Sequence, residues 1–168
     1  MALNLFKIET IEITSPTSSI TFSNIPQGYT DLKLVVSVRS GVVNPYDFIY
    51  FYLNTPGVGA YTQRLLRSDG SSLTSQLNSV SYYPFQMING SGSTVNTFAS
   101  GEIYIPNYRS SNQKSFSVDL VQENNGTDAY ADIQAGLWNQ TAAITAMTLA
   151  SGSGLYLAKS TFTLYGVL

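Results

Sequence analysis

Asp31-Leu32-Lys33-Leu34-Val35-Val36-Ser37-Val38-Arg39 is the stretch that decides the fold class. Leu32, Leu34, Val36 and Val38 alternate with Lys33, Val35, Ser37 and Arg39, which is the two-residue period of a strand with one face in a core and the other at least partly wet. The rhythm returns in residues 114–122, where Phe116, Val118 and Leu120 oppose Ser117, Asp119 and Val121. Leu34, Val36, Val118 and Leu120 are therefore expected in the core.

Working outward, residues 6–13 and 19–22 read as strands separated by a turn at Ser15-Pro16-Thr17-Ser18. Pro26 and Gly28 mark a loop, because proline cannot donate to a ladder and glycine permits a sharp reversal. Residues 47–53 are aromatic on both faces, which suits a strand covered on both sides or one at a subunit contact. Residues 61–67 read as a strand or a helical turn, since Leu65 and Leu66 adjoin and the alternation fails. Ser68-Asp69-Gly70-Ser71-Ser72 is a turn, residues 80–87 a strand interrupted at Pro84, and residues 98–105 a further strand. Residues 131–138, 144–149 and 157–167 complete the set. Roughly nine or ten short strands, without a helical stretch of ten residues or a fixed-period repeat, indicate an all-β fold. The expected architecture is a two-sheet antiparallel β-sandwich, jelly-roll-like, forming a single domain over residues 1–168 with residues 1–6 as a possible docking arm.

Composition narrows the function. Charged residues make up 11% of the 168-residue chain, well under the roughly 25% of an average soluble domain. Such a surface does little to keep copies apart, so it suits either a polar uncharged monomer or a subunit of an assembly. The net charge is −2 and the eight cations are dispersed, which gives no footprint for nucleic acid. The first residues contain no apolar signal segment, and no run is long enough to cross a bilayer as a helix, so neither secretion nor membrane insertion is expected.

The chain has no cysteine and no histidine, which removes disulfides, thiolate chemistry, Ser-His-Asp triads and the commonest metal ligand. Carboxylates Glu9 and Glu12 differ in strand parity, and no local acid pair is evident, so no enzyme and no cofactor are expected. A calcium site built from Asp119, Asp128 and Asp132 stays open beside the reading of these acids as water-facing turn and edge residues. Trp138, the only tryptophan, reads either as a core plug or as a platform for a sugar or protein. Tyr29, Tyr46, Tyr82, Tyr83, Tyr104, Tyr108 and Tyr130 fall near strand ends, where the rings can cover a sheet margin or anchor an interface.

Several segments carry a resemblance: Ile20-Thr21-Phe22 with Ile25-Pro26, Tyr29-Thr30-Asp31-Leu32-Lys33-Leu34, Glu102-Ile103-Tyr104-Ile105-Pro106-Asn107-Tyr108, Lys114-Ser115-Phe116-Ser117, Gly136-Leu137-Trp138-Asn139, and Ser160-Thr161-Phe162-Thr163-Leu164-Tyr165-Gly166. Together they resemble a small virion structural protein of tailed bacteriophages, many of them aquatic or infecting cyanobacteria. The resemblance is weakest over residues 46–97. It implies a β-sandwich on a capsid or tail, acting by symmetric contacts, and the small size without a fibrous or coiled-coil stem favours a head decoration (cement) protein on the capsid surface over the tail. The implied partners are copies of itself, as a homotrimer, and the major capsid protein. A tail or fibre protein that meets tail proteins and host surface glycans is the first alternative, and a soluble carbohydrate-binding sandwich the second. Leu3, Leu5, Phe6, Tyr46, Tyr82, Tyr83, Tyr104, Tyr108 and Trp138 are the candidate interface or ligand contacts.

Overall fold

The computed structural model describes residues 4–57, 60–80, 82–126 and 128–168. Twelve strands form two antiparallel sheets, and no helix occurs among the described residues. The strands are β1 (Leu5–Glu12), β2 (Ser19–Phe22), β3 (Asp31–Val38), β4 (Tyr46–Leu53), β5 (Tyr61–Ser68), β6 (Leu73–Val80), β7 (Tyr83–Asn89), β8 (Ala99–Ile105), β9 (Lys114–Gln122), β10 (Tyr130–Trp138), β11 (Met147–Ser151) and β12 (Thr161–Val167). Eight of them make a large sheet in the order β1-β12-β3-β8-β9-β10-β5-β6, and four make a small sheet in the order β2-β11-β4-β7. The chain changes sheet at every connection except the hairpins β5–β6, β8–β9 and β9–β10. Because the two layers are woven together in this way, neither can form its core without the other.

The alternation that decided the fold class is realised in β3 and β9. Leu32, Leu34, Val36 and Val38 of β3, with Phe116, Val118 and Leu120 of β9, are buried. They meet Phe51, Leu53, Met147, Leu149 and Ile49 of the small sheet in one hydrophobic cluster. Tyr83 of β7 sits between Phe116, at 4.8 Å between ring centroids, and Tyr61, at 6.3 Å. Gly136 is required there: a β-carbon on it would lie 2.3 Å from the Phe116 ring and 2.7 Å from Tyr83. Gly166 plays the same part for Tyr29, whose ring lies where a β-carbon would stand.

The structure revises four readings. Residues 61–68 are a strand in which Leu65 is buried and Leu66 exposed, so the adjoining leucines simply face opposite ways. The turn at Ser68–Ser72 leads into β6, which the sequence hid because Thr74, Ser75, Gln76, Asn78 and Ser79 outnumber its apolar residues. Asp69 closes that turn by accepting the Ser71 and Ser72 backbone N–H groups at 2.9 and 2.7 Å, and these bonds hold its carboxyl well below the usual range. Ile144 is buried but lies in a loop, its N–H donated to the Tyr108 carbonyl, and the strand begins later at Met147. Arg39, expected on the wet face after β3, is buried and donates to the carbonyls of Thr94, Thr97, Ser91 and Ser93, which gathers the loop before β8.

Candidate functional site

The proposed contact residues do not converge. Leu3 lies outside the described residues. Leu5 and Phe6 belong to the chain's own sheet, paired with Val167 and Gly166, and Phe6 stacks on Tyr29 at 5.9 Å. Both stay substantially exposed. Tyr46 and Tyr82 stand on the outer side of the small sheet, and Tyr104 stands on the outer side of the large one with its hydroxyl bonded to Asp31.

Tyr83, Tyr108 and Trp138 are corrected as contact residues: each is buried, and for Trp138 this is the core-plug alternative. Broad rings fill the space between two sheets better than aliphatic side chains, and buried polar atoms on them need local partners. The Tyr108 hydroxyl bonds the Pro26 carbonyl. Trp138 is packed beside the Lys114 ammonium, 6.0 Å from the ring centroid. Lys114 is itself buried, ringed by the carbonyls of Ser110, Asn112, Thr141 and Ala142 at 2.6 to 3.1 Å, and burial lowers its pKa.

The carboxylates do not assemble a calcium site either. Asp119 points outward and Asp132 inward from adjacent strands, since Asp132 pairs with Leu120. Asp132 instead accepts a two-pronged bond from Arg67, with N–O distances of 2.7 and 2.9 Å. Among the described residues no three acids gather in one place. Asp47, the other buried acid, accepts from the Ser40 and Ser151 hydroxyls at 2.7 Å each and from the Phe48 backbone at 2.8 Å, which ties β4 to two loops.

What the structure does bring together is a surface that the sequence reading missed. On the outer face of β9, β10, β5 and β6 the register sets Val121 beside Ala131, Ser68 and Leu73. The next row holds Asp119, Ile133, Leu66 and Ser75, and the third holds Ser117, Ala135, Arg64 and Leu77. Leu73 is 67% exposed, Ile133 64% and Leu77 62%, with Leu66 and Val121 also open to solvent. Leu66, Leu73, Val121 and Ile133 border a shallow hollow of about 330 Å³. The other half of the same face is polar, with the Lys33–Glu102 ion pair at 2.7 Å and the threonines Thr10 and Thr163 bonded across strands. Beneath the apolar half, the inward side of β10, β5 and β6 holds a polar network beside the buried Tyr61, Leu65 and Trp138: Gln63 donates to Gln134, and Asn78 donates to Gln63, both at 2.7 Å. Polarity is thus inverted at this end of the sheet. The available signal was the parity of β10, where Asp132 and Gln134 share a side with buried Trp138 while Ile133 takes the other.

A second surface is aromatic. Tyr46, Phe48, Tyr50 and Tyr52 alternate along the outer side of β4, half-buried, with Tyr82 packed on Tyr50 at 4.4 Å and Tyr130 on Tyr46 at 5.9 Å. Burial raises the phenol pKa values of Tyr50, Tyr52 and Tyr130. These geometries define a β-sandwich with one exposed apolar face and one half-buried aromatic face. No protein-family model matches the chain, and no curated protein is significantly similar to it in sequence.

Proposed function

We propose that this chain is a structural protein of a tailed-bacteriophage virion, a capsid decoration subunit that stabilises the head through non-covalent contacts with copies of itself and with the major capsid protein. The observation that carries the reading is the exposed apolar half-face centred on Leu66, Leu73, Leu77 and Ile133, on a chain with so little charge. Contiguous apolar surface of this kind marks an interaction site more than a solvated exterior. The resemblance of the segments around Ile20, Tyr104, Trp138 and Phe162 supports a virion setting, and for the decoration ring it suggests three copies. On this reading the work is mechanical, and the two buried acids, Asp47 and Asp132, hold loops and strands together.

The test is binding of the purified chain to undecorated heads of the phage that encodes it, together with its position in a particle map. Saturable head binding, lost when Leu66 and Ile133 are both changed to Gln, is the expected result. Failure of the full chain to bind, with density at the tail instead, rejects decoration. The aromatic row on β4 favours one second reading, a tail protein that stacks host glycans on Tyr46, Tyr50 and Tyr52, and glycan-array binding abolished by Tyr50→Ala is its signature.

A further inference from the structure

The four sheet edges are not treated alike. β1 carries Lys7, Glu9 and Glu12 and a register shift between Lys7 and Glu9. β2 is only four residues long. β7 contains Pro84, which has no N–H to offer, and shifts register against β4. Charge, brevity, proline and bulges are the devices by which sheets keep their edges from pairing with other chains. β6 has none of them. Leu73-Thr74-Ser75-Gln76-Leu77-Asn78-Ser79-Val80 is uncharged, free of proline, and pairs with β5 in unbroken register over all eight residues. Its outer margin is one end of the large sheet.

The side chains of β6 are also arranged against a monomer. Leu73 and Leu77 face away from the core side, where Thr74 and Gln76 stand, and all four are exposed. We propose that β6 pairs edge to edge with β6 of a second copy of this chain, antiparallel about a two-fold axis through Ser75. In this register Leu73 stands opposite Leu77 of the other copy and Leu77 opposite its Leu73. Thr74 and Gln76 pair in the same reciprocal way on the other face. Sliding the pairing by two residues either way breaks both leucine pairs or leaves Leu73 without its match. Directly opposed side chains are the unit of sheet stabilisation, and an uncharged strand brings no like charges together when it meets itself. A two-fold contact is closed and self-complementary. It continues the large sheet and its apolar outer half across the axis, so one contact accounts for both the unguarded edge and the outward leucines. The pair departs from the trimer that the resemblance suggests, and it does not depend on where in a virion the chain resides.

Ser75 supplies the test because it is exposed and meets its own copy at the axis. Sedimentation equilibrium of the full chain is expected to give the mass of two chains. Ser75→Lys and Ser75→Glu should each weaken association, by on the order of tenfold or more, since like charges then oppose each other. An equimolar mixture of the two variants should restore the pair, which neither misfolding nor a general loss of apolar contact would do. In this cysteine-free chain Ser75→Cys should form a covalent dimer on mild oxidation, because opposed residues in an antiparallel pair lie within disulfide reach. A single-chain or three-chain mass for the wild type overturns the proposal, as does a charge-swapped mixture that stays apart. Head binding is read separately, so a decoration role can fail while the pairing stands, and the reverse.

Discussion

β9 and β10 lie side by side in register, nine residues each, yet at their centres they present opposite chemistry to the core. β9 turns Phe116, Val118 and Leu120 inward and Ser115, Ser117 and Asp119 outward. β10 turns Asp132 and Gln134 inward and leaves Ile133 in solvent. The difference follows from what covers each strand. The inward side of β9 lies under the aromatic cluster of Phe51 and Tyr83. The inward polar groups of β10 are satisfied by Arg67, Gln63 and, through it, Asn78, all from the β5–β6 hairpin. Burial alternates with a period of two on both strands, but which parity is apolar is decided by the neighbouring layer, not by the strand.

Phe116→Ala attacks the apolar side of the comparison and should have the largest effect. It removes a ring that fills the space over Gly136 and against Tyr83, for a loss of about 3 to 5 kcal/mol in denaturant unfolding. A loss near 1 kcal/mol would mean that the small sheet settles into the gap, and that β9 is less tightly covered than its burial indicates.

Asp132→Ala attacks the polar side. Removing one partner of a buried ion pair strands the other, and a cost of about 3 kcal/mol is expected. Replacing both Arg67 and Asp132, with Met and Leu, should recover most of that loss, because apolar substitutes of similar volume often match a buried pair. If the double variant is as unstable as the single one, the inverted polarity of this end is itself required for the fold.

The same contrast shows why part of the molecule was legible in the sequence and part was not. β3 and β9 could be read because their apolar parity and their covered parity coincide. In β10 they do not coincide, so residues 131–138 could be read as a strand without a face being assigned to the core. β6 was missed because five polar residues stand among its apolar ones, and a strand exposed on both faces has no core-driven pattern to read. Tyr83 and Tyr108 were drawn to the surface by their polar tips and Trp138 was left open between core plug and platform, although Pro26 and the packing of Phe116 and Lys114 show that a buried ring needs only one local partner for its tip or a close neighbour for its face. The outer apolar face was invisible because it joins residues from four strands.

Alkaline titration sharpens the comparison where the two strands meet. Tyr61, paired with Trp138 of β10, is pushed up to about 12 by burial, and its oxygen accepts the Leu53 N–H at 2.8 Å. Tyr83, against Phe116, is raised further by burial and by the charge of Asp132. A raised phenol pKa means that the fold holds the proton more tightly than the unfolded chain does. The stabilisation is therefore complete below about pH 10, the unfolded value, and is lost as pH rises through the folded value. Melting temperature should fall between about pH 10 and 12, with Tyr61 alone accounting for on the order of 2 kcal/mol. Lowered pKa values at Lys114 and Arg39 act with the opposite sign, so a flat profile would show that the cations offset the phenols.

Ile133→Gln should have the smallest effect on folding and tests the comparison most directly. Ile133 is the β10 neighbour of Asp119, on the face where β9 is polar, and it is 64% exposed. Substitutions at such positions usually change stability by no more than about 0.5 kcal/mol, so the unfolding midpoint should stay put. Val118→Gln, one strand away on the covered side, buries an amide without a partner and should be severely destabilising. If Ile133→Gln proves as costly as a core change in the isolated chain, the outer face is already covered in solution, and the concentration dependence of its unfolding midpoint will show whether a second copy covers it. Unchanged folding with weakened head binding is the outcome expected of a contact residue, because the apolar surface then contributes only when a partner removes it from water.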